Sequence, residues 1–169
     1  IEIYEEKGKK VILAAPTGRA AKRMTETTGK EASTLHRLLE IGKLDEDSLY
    51  KNITNYEGAP IDADVIIVDE VSMVDMFLLS YLLKCVYQGT KLVLVGDVDQ
   101  LASVGPGSVL KDLINSEEIS TIHLDKIFRQ AAKSKIILNA HKVNNGEGFI
   151  QKGEEEGTDE DFFFIKETS

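Results

Sequence analysis

Residues 65 to 70 read Val-Ile-Ile-Val-Asp-Glu, an apolar, largely β-branched run that ends in two adjacent carboxylates. A strand that is apolar at every position has both faces covered, and such strands belong to parallel sheets flanked by helices. Ligands of open α/β sheets bind in the crevice beyond the carboxyl ends of the strands, where Asp69 and Glu70 would fall. The hexapeptide alone leaves two readings open. The acids serve a bound cation and a water molecule, or a buried strand simply ends in two solvated residues.

The rest of the chain repeats the alternation. Val11 to Ala15 predicts a short buried strand, and the Pro16-Thr17-Gly18 turn opens a helix over Arg19 to about Thr27. Ser33 to Ile41 predicts a short helix with Leu35, Leu38 and Leu39 on one face and Ser33 or Thr34 as its cap. From Asp75 to Tyr87, residues Phe77, Leu78, Tyr81, Leu82, Cys85 and Val86 recur at helical spacing, with Gly89 as the stop. Leu92 to Gly96 predicts a strand, Asp97 to Gly107 a loop, and Ser108 to Asn115 a helix. Thr121 to Leu124 is expected to be a fourth strand and Ala131 to Val143 a last helix. Residues 42–60 form a polar mixture with short alternations, expected to be an inserted loop or small hairpin in which Tyr50 and Tyr56 are candidates for stacking. Gly146 to Asp161 reads as an acidic linker and Phe162 to Ile165 as the first strand of something further.

Composition narrows the class. A chain of 169 residues with 42% hydrophobic content can bury one core. Of the net charge of -9, residues 147 to 169 supply -6, from eight acids and two lysines. The acidic average excludes indiscriminate nucleic-acid binding by the whole surface, yet Thr17 to Leu39 holds five Arg or Lys against two Glu. Cys85 is the only cysteine and excludes an internal disulfide; it reads as a small buried hydrophobe in a reducing compartment. No membrane span or export signal is present in the sequence, so a cytoplasmic protein is expected. The start at Ile1 and the end just after an apolar run are those expected of a piece of a longer protein.

Four segments carry a more specific signal. They are Ala14-Ala15-Pro16-Thr17-Gly18-Arg19-Ala20-Ala21-Lys22-Arg23, then Val68-Asp69-Glu70-Val71-Ser72-Met73-Val74-Asp75, then Leu94-Val95-Gly96-Asp97-Val98-Asp99-Gln100-Leu101 with Ser103-Val104-Gly105-Pro106-Gly107, and Phe128-Arg129-Gln130. In this order they resemble motifs Ia, II, III and IV of RecD/TraA-type superfamily 1 DNA helicases, the family of the exodeoxyribonuclease V alpha subunit. Thr34-Leu35-His36-Arg37-Leu38-Leu39 is similar to that family's short motif after Ia, and the resemblance covers residues 11 to 148.

The resemblance implies a RecA-like, P-loop NTPase-type parallel sheet that couples ATP hydrolysis to movement along single-stranded DNA, in recombination or repair. In that scheme Asp69 binds magnesium, Glu70 positions or deprotonates water, Gln100 senses the γ-phosphate, and Arg129 stabilises charge on it. Contact with DNA would rest on Thr17, Gly18, Arg19, His36, Arg37, Ser103 and Val104. Small and hydroxyl-bearing loop residues let backbone amides approach phosphates, arginine supplies charge, and a small apolar side chain presses on a base. Nothing in this set reads a base edge, so binding should be independent of sequence. Lys22 and Arg23 read as a solvated helix face, His36 equally as a structural cap, and His123 and His141 as structural. Nuclease or helicase subunits are the partners such a protein would have.

The departures matter as well. The sequence holds no Gly-x-x-x-x-Gly-Lys-Ser/Thr, so residues 1–148 are expected to be a partial motor domain without the Walker A segment, which the family carries upstream of motif Ia. Residues 149–169 would be the acidic linker and the start of the next domain, and the isolated chain is expected to be inactive. Val98 and Ala102 stand where the family often has proline, and residues 42–60 where it inserts a strand-separating pin. Two other classes compete: a non-catalytic module that holds single strands or a protein partner, and a two-metal nuclease built from Asp69, Glu70, Asp75, Asp97 and Asp99.

Overall fold

The structure, a computed structural model, describes residues 1–41, 56, 58–124, 134–149 and 161–163. It divides into two compact units, Ile1–Thr121 and Ile122–Ser169.

The first unit is built on a parallel sheet of β1 (Val11–Ala15), β2 (Ala32–Thr34), β3 (Val65–Val68) and β4 (Lys91–Leu94), in the order β2-β1-β3-β4. Leu13 pairs with Ala32 on one side of β1 and with Ile67 on the other, and Val68 pairs with Leu94. The chain leaves β1 towards β2 and then crosses to β3 on the opposite side. The direction therefore reverses between β1 and β3, which opens a crevice at their carboxyl ends.

Residues two apart on a strand share a face. Ile12, Ala14, Ile66, Val68, Leu92 and Leu94 form one such set and meet the α4 helix (Met76–Cys85), which presents Leu78, Tyr81, Leu82 and Cys85 one turn apart. Each large side chain buried there contributes about 1.5–3 kcal/mol. Leu13 and Ala15 belong to the other face, where α2 (Gly18–Thr28) runs beside β1 and buries Ala21 and Met24. Helix α1 (Glu2–Glu6) is held by Glu5 to Lys30 at 2.8 Å and by the Tyr4 ring under the Lys91 ammonium. Short α3 (Leu35–Leu38) and α5 (Val109–Asn115) complete the unit.

Caps explain where the helices start. Thr17, Thr34 and Asp75 accept from the amides of Ala20, Arg37 and Leu78 at 3.2, 3.2 and 2.7 Å. Gly29, left-handed at φ 68°, ends α2. Tyr56 packs its ring edge-on against Tyr81 and donates its hydroxyl to the Leu39 carbonyl. Burial, and then the neighbouring Cys85, push that hydroxyl's pKa up, so it remains a donor.

The structure departs from expectation in two elements. Ser33 lies in β2 and not in a helix; Thr34 is the cap, and the helix that follows is a single turn. Thr121 to Leu124 form no strand, and Ile122 and Leu124 are 84% and 92% exposed, so the apolar alternation there does not mark burial. The fourth strand is β2.

In the second unit, Ser134 caps α6 (Lys135–Asn144), and Asp161 accepts from the Ser134 hydroxyl and the Lys135 amide. The hydrogen bond from Ser134 holds the Asp161 carboxyl below its usual range. Of the expected insertion, residues 42–55 and 57 lie outside the described residues; so do 131–133 of the last helix, 150–160 of the linker, and 164–165 of the further strand.

Candidate active site

All four strands run the same way, so the residues that follow each of them gather along one edge. Asp69 leaves the end of β3 with its amide donating to the Ala14 carbonyl at 3.0 Å. Its carboxylate accepts the Glu70 amide at 2.9 Å, which fixes the orientation of the acid. Glu70 itself adopts φ 54° and ψ 41°. A residue with a side chain occupies that left-handed region at a cost of about 1–3 kcal/mol, sustained by the surrounding structure. Here the surroundings are explicit: the Val71 amide donates to the Val95 carbonyl at 2.9 Å, and the Val95 amide to the Val68 carbonyl at 2.8 Å.

These bonds carry the pairing of β3 and β4 past the ladder and tie the loops beyond the two strands to each other. Gly96 makes the approach possible. A Cβ there would lie 3.1 Å from the amides of Val71 and Ser72 and 2.9 Å from Leu110 Cδ2. The next turn returns the chain to the edge, since Asp97 accepts the Asp99 amide on its side chain at 3.0 Å and the Gln100 amide on its carbonyl at 3.3 Å.

The result is a cleft of about 480 Å³ lined by Asp69, Glu70, Val95, Gly96, Asp97 and Gln100 on one side. Arg23, Met24, Thr27 and Thr28 of α2 form the other side. Three carboxylates and one guanidinium are in this lining, and Arg23 Nη1 lies 4.0 Å from Glu70 Oε1, with Arg23 81% and Glu70 25% exposed. Sequence reading assigned Asp69, Glu70 and Gln100 to one site, and the cleft brings these three side by side. It missed the α2 wall. The available signal was the spacing of 23, 24, 27 and 28, which places them on one stripe of a helix.

The chemistry of the donor set suits a hard cation. Magnesium is ordinarily held by one or two carboxylates together with substrate phosphates, and not in an all-protein cage. Among the described residues no three His, Cys, Asp or Glu side chains are grouped to hold a metal. Asp75, a member of the nuclease set considered above, is committed elsewhere: its Oδ1 caps α4 and its Oδ2 lies against Gly105.

The residues considered for DNA contact lie outside this cleft. Thr17 follows β1 and uses its hydroxyl as the α2 cap, with Gly18 and Arg19 exposed in the first turn. Ala15 and Thr34 are partners in the ladder, so His36, half-buried, and Arg37, exposed, follow at the end of the adjacent strand. Ser103 and Val104 sit on the long loop after β4. The Ser103 hydroxyl donates to the Gly105 carbonyl at 3.1 Å, and the Pro106 carbonyl accepts the Met76 amide at 2.9 Å. Phe128, Arg129 and Gln130 lie outside the described residues.

The family described as AAA domain matches residues 1–158. The chain is 42% identical over 146 residues to the ATP-dependent RecD2 DNA helicase of Deinococcus radiodurans, covering 86% of this chain and 19% of that protein. It is 34% identical over 171 residues to the RecBCD enzyme subunit RecD of Mycobacterium tuberculosis, covering 91% of this chain and 30% of that one. Among solved structures, Bacteroides sp Pif1 in complex with ADP-AlF4 matches at 23% identity and a TM-score of 0.41, over 68% of this chain and 28% of that chain. The chain thus spans less than a third of the length of these relatives. It belongs to the AAA-domain family, and over most of its own length it is similar to RecD-type DNA helicases.

Proposed function

We propose that this chain is the central part of an ATP-dependent DNA helicase motor that couples ATP hydrolysis to translocation along single-stranded DNA, in recombination or repair, in the cytoplasm. The observation that carries the reading is the convergence of Asp69, Glu70 and Gln100 on one cleft at the carboxyl edge of a parallel sheet. The ends of the two neighbouring strands carry Thr17, Gly18, Arg19, His36 and Arg37 along the same edge.

Asp69 would hold magnesium, which would neutralise charge on the phosphates of ATP. Glu70 accepts the proton of the attacking water, or orients it, from a backbone held rigid by the Val71 to Val95 bond. Gln100 senses the γ-phosphate and passes its state along the loop that carries Ser103 and Val104. Arg129 supplies positive charge to the transferred phosphoryl group, a role that rests on the sequence motif. With no Gly-x-x-x-x-Gly-Lys-Ser/Thr in its sequence, the 169-residue chain lacks the lysine and amides that cradle a triphosphate and does not hydrolyse ATP by itself. The rest of the parent protein supplies that cradle. The name of the Mycobacterium tuberculosis relative, a subunit of the RecBCD enzyme, supports a parent that works beside partner subunits, expected to be nucleases or helicases.

Gln100→Ala in the intact parent tests the coupling. Hydrolysis stimulated by single-stranded DNA and unwinding should both fall more than nucleotide affinity does. Loss of ATP affinity with DNA stimulation intact would make Gln100 an ordinary nucleotide ligand and remove the coupling.

A further inference from the structure

Helix α2 has its first turn at the end of β1 and, one turn later, a wall of the cleft. Arg19 and Arg23 are four residues apart and therefore lie on one side of the helix. Arg19 is exposed at the edge considered for DNA, while Arg23 faces Glu70 across the cleft at 4.0 Å. Arg23 is the cationic residue of the cleft lining, which also holds Asp69, Glu70 and Asp97. Glu70 is also the residue of the site with a left-handed backbone. Its main chain is held by the hydrogen bond that the Glu70 amide donates to the Asp69 carboxylate and by the one from the Val71 amide to the Val95 carbonyl, which leaves the side-chain torsions as its remaining freedom.

We propose that Arg23 is a positioning residue for Glu70: the guanidinium draws the carboxylate to the α2 side of the cleft and sets the direction in which it meets a water molecule. This inference rests on the reading of Glu70 as the group that activates water. It follows that α2 links the two functions of the sheet edge. A phosphate bound at Arg19 acts on the same helix, one turn before Arg23. An exposed ion pair contributes little to stability, so the pair is not there to hold the fold.

The test is steady-state hydrolysis by the intact parent with saturating single-stranded DNA, comparing wild type, Arg23→Ala, Arg23→Lys and Glu70→Gln, each first checked for an unchanged melting temperature. Misdirecting a catalytic group costs about 10- to 100-fold, so Arg23→Ala should lower kcat by that factor with KM for ATP unchanged. Arg23→Lys, which keeps the charge, should recover part of the loss. A raised KM with kcat intact would make Arg23 a nucleotide ligand, and unchanged kcat and KM would return it to a solvated helix face; either overturns the proposal. Glu70→Gln separates the two levels. If Glu70→Gln turns over normally, the reading of the site itself has failed. If Glu70→Gln is dead and Arg23→Ala is normal, only the inference about Arg23 has failed.

Discussion

Gly96 lies directly over the amide of Val71, so near that a methyl group on Gly96 would come within 3.1 Å of that nitrogen. The contact stacks the loop that carries Asp97 and Gln100 on the one that carries Asp69 and Glu70. Leu110 Cδ2 can give way, but the two backbone amides cannot without disturbing the Val71 to Val95 bond. Gly96→Ala should therefore destabilise the parent by about 1–3 kcal/mol, the usual cost of overpacking. Chemical denaturation measures it. A midpoint equal to wild type would mean that the two loops are free to part.

Asp64 ties the start of the sheet together. Its carboxylate accepts the Lys10 amide at 2.8 Å and the Lys9 ammonium at 2.9 Å, while its own amide donates to the Lys10 carbonyl. The Lys10 amide, followed by the Lys9 side chain, holds the carboxyl below its ordinary range. A lowered folded pKa means that the unfolded chain takes up protons first as pH falls. The stabilisation is thus complete above the unfolded carboxylate range and is lost as pH drops through the folded value. Asp64→Asn should flatten the acid side of the stability profile while leaving its slope near neutrality unchanged. An acid limb identical to wild type would contradict the role.

DNA binding should follow charge and not sequence. Arg19 and Arg37 are exposed at the ends of adjacent strands, and each is assigned one phosphate. Replacing both with Ala should weaken single-strand binding by a similar factor for every oligonucleotide and reduce the slope of log K against log salt by about 1.4. Strongly sequence-selective binding that survives the double substitution would refute the assignment.

Much of this architecture was legible in the residues themselves, and what was hidden has a physical reason. β1 and β3 announce themselves because a buried parallel strand must be apolar throughout, and β4 because Leu92, Val93 and Leu94 follow one another without a break. β2 does not: Ala32, Ser33 and Thr34 form three pairings with β1, too few to leave a hydrophobic signature, and the capping chemistry of Thr34 drew attention to the helix instead. Thr121 to Leu124 shows the opposite error, since alternation identifies a strand only where a partner covers the apolar face. Asp69, Glu70 and Gln100 could be grouped by motif. Arg23 could not, because a side chain 81% exposed looks like solvated surface until the packing of α2 shows which acid it faces.

If Glu70 acts on water at a nucleotide bound by the intact parent, its amide variant must bind nucleotide without turning it over. Single-stranded-DNA-stimulated ATP hydrolysis and equilibrium nucleotide binding are measured side by side for the parent and its Glu70→Gln variant. The amide keeps the shape of the side chain but accepts no proton, so turnover should fall by about 10²–10⁴-fold while nucleotide affinity is retained. Hydrolysis by Glu70→Gln at the parental rate would leave Glu70 a solvated acid at the end of a strand.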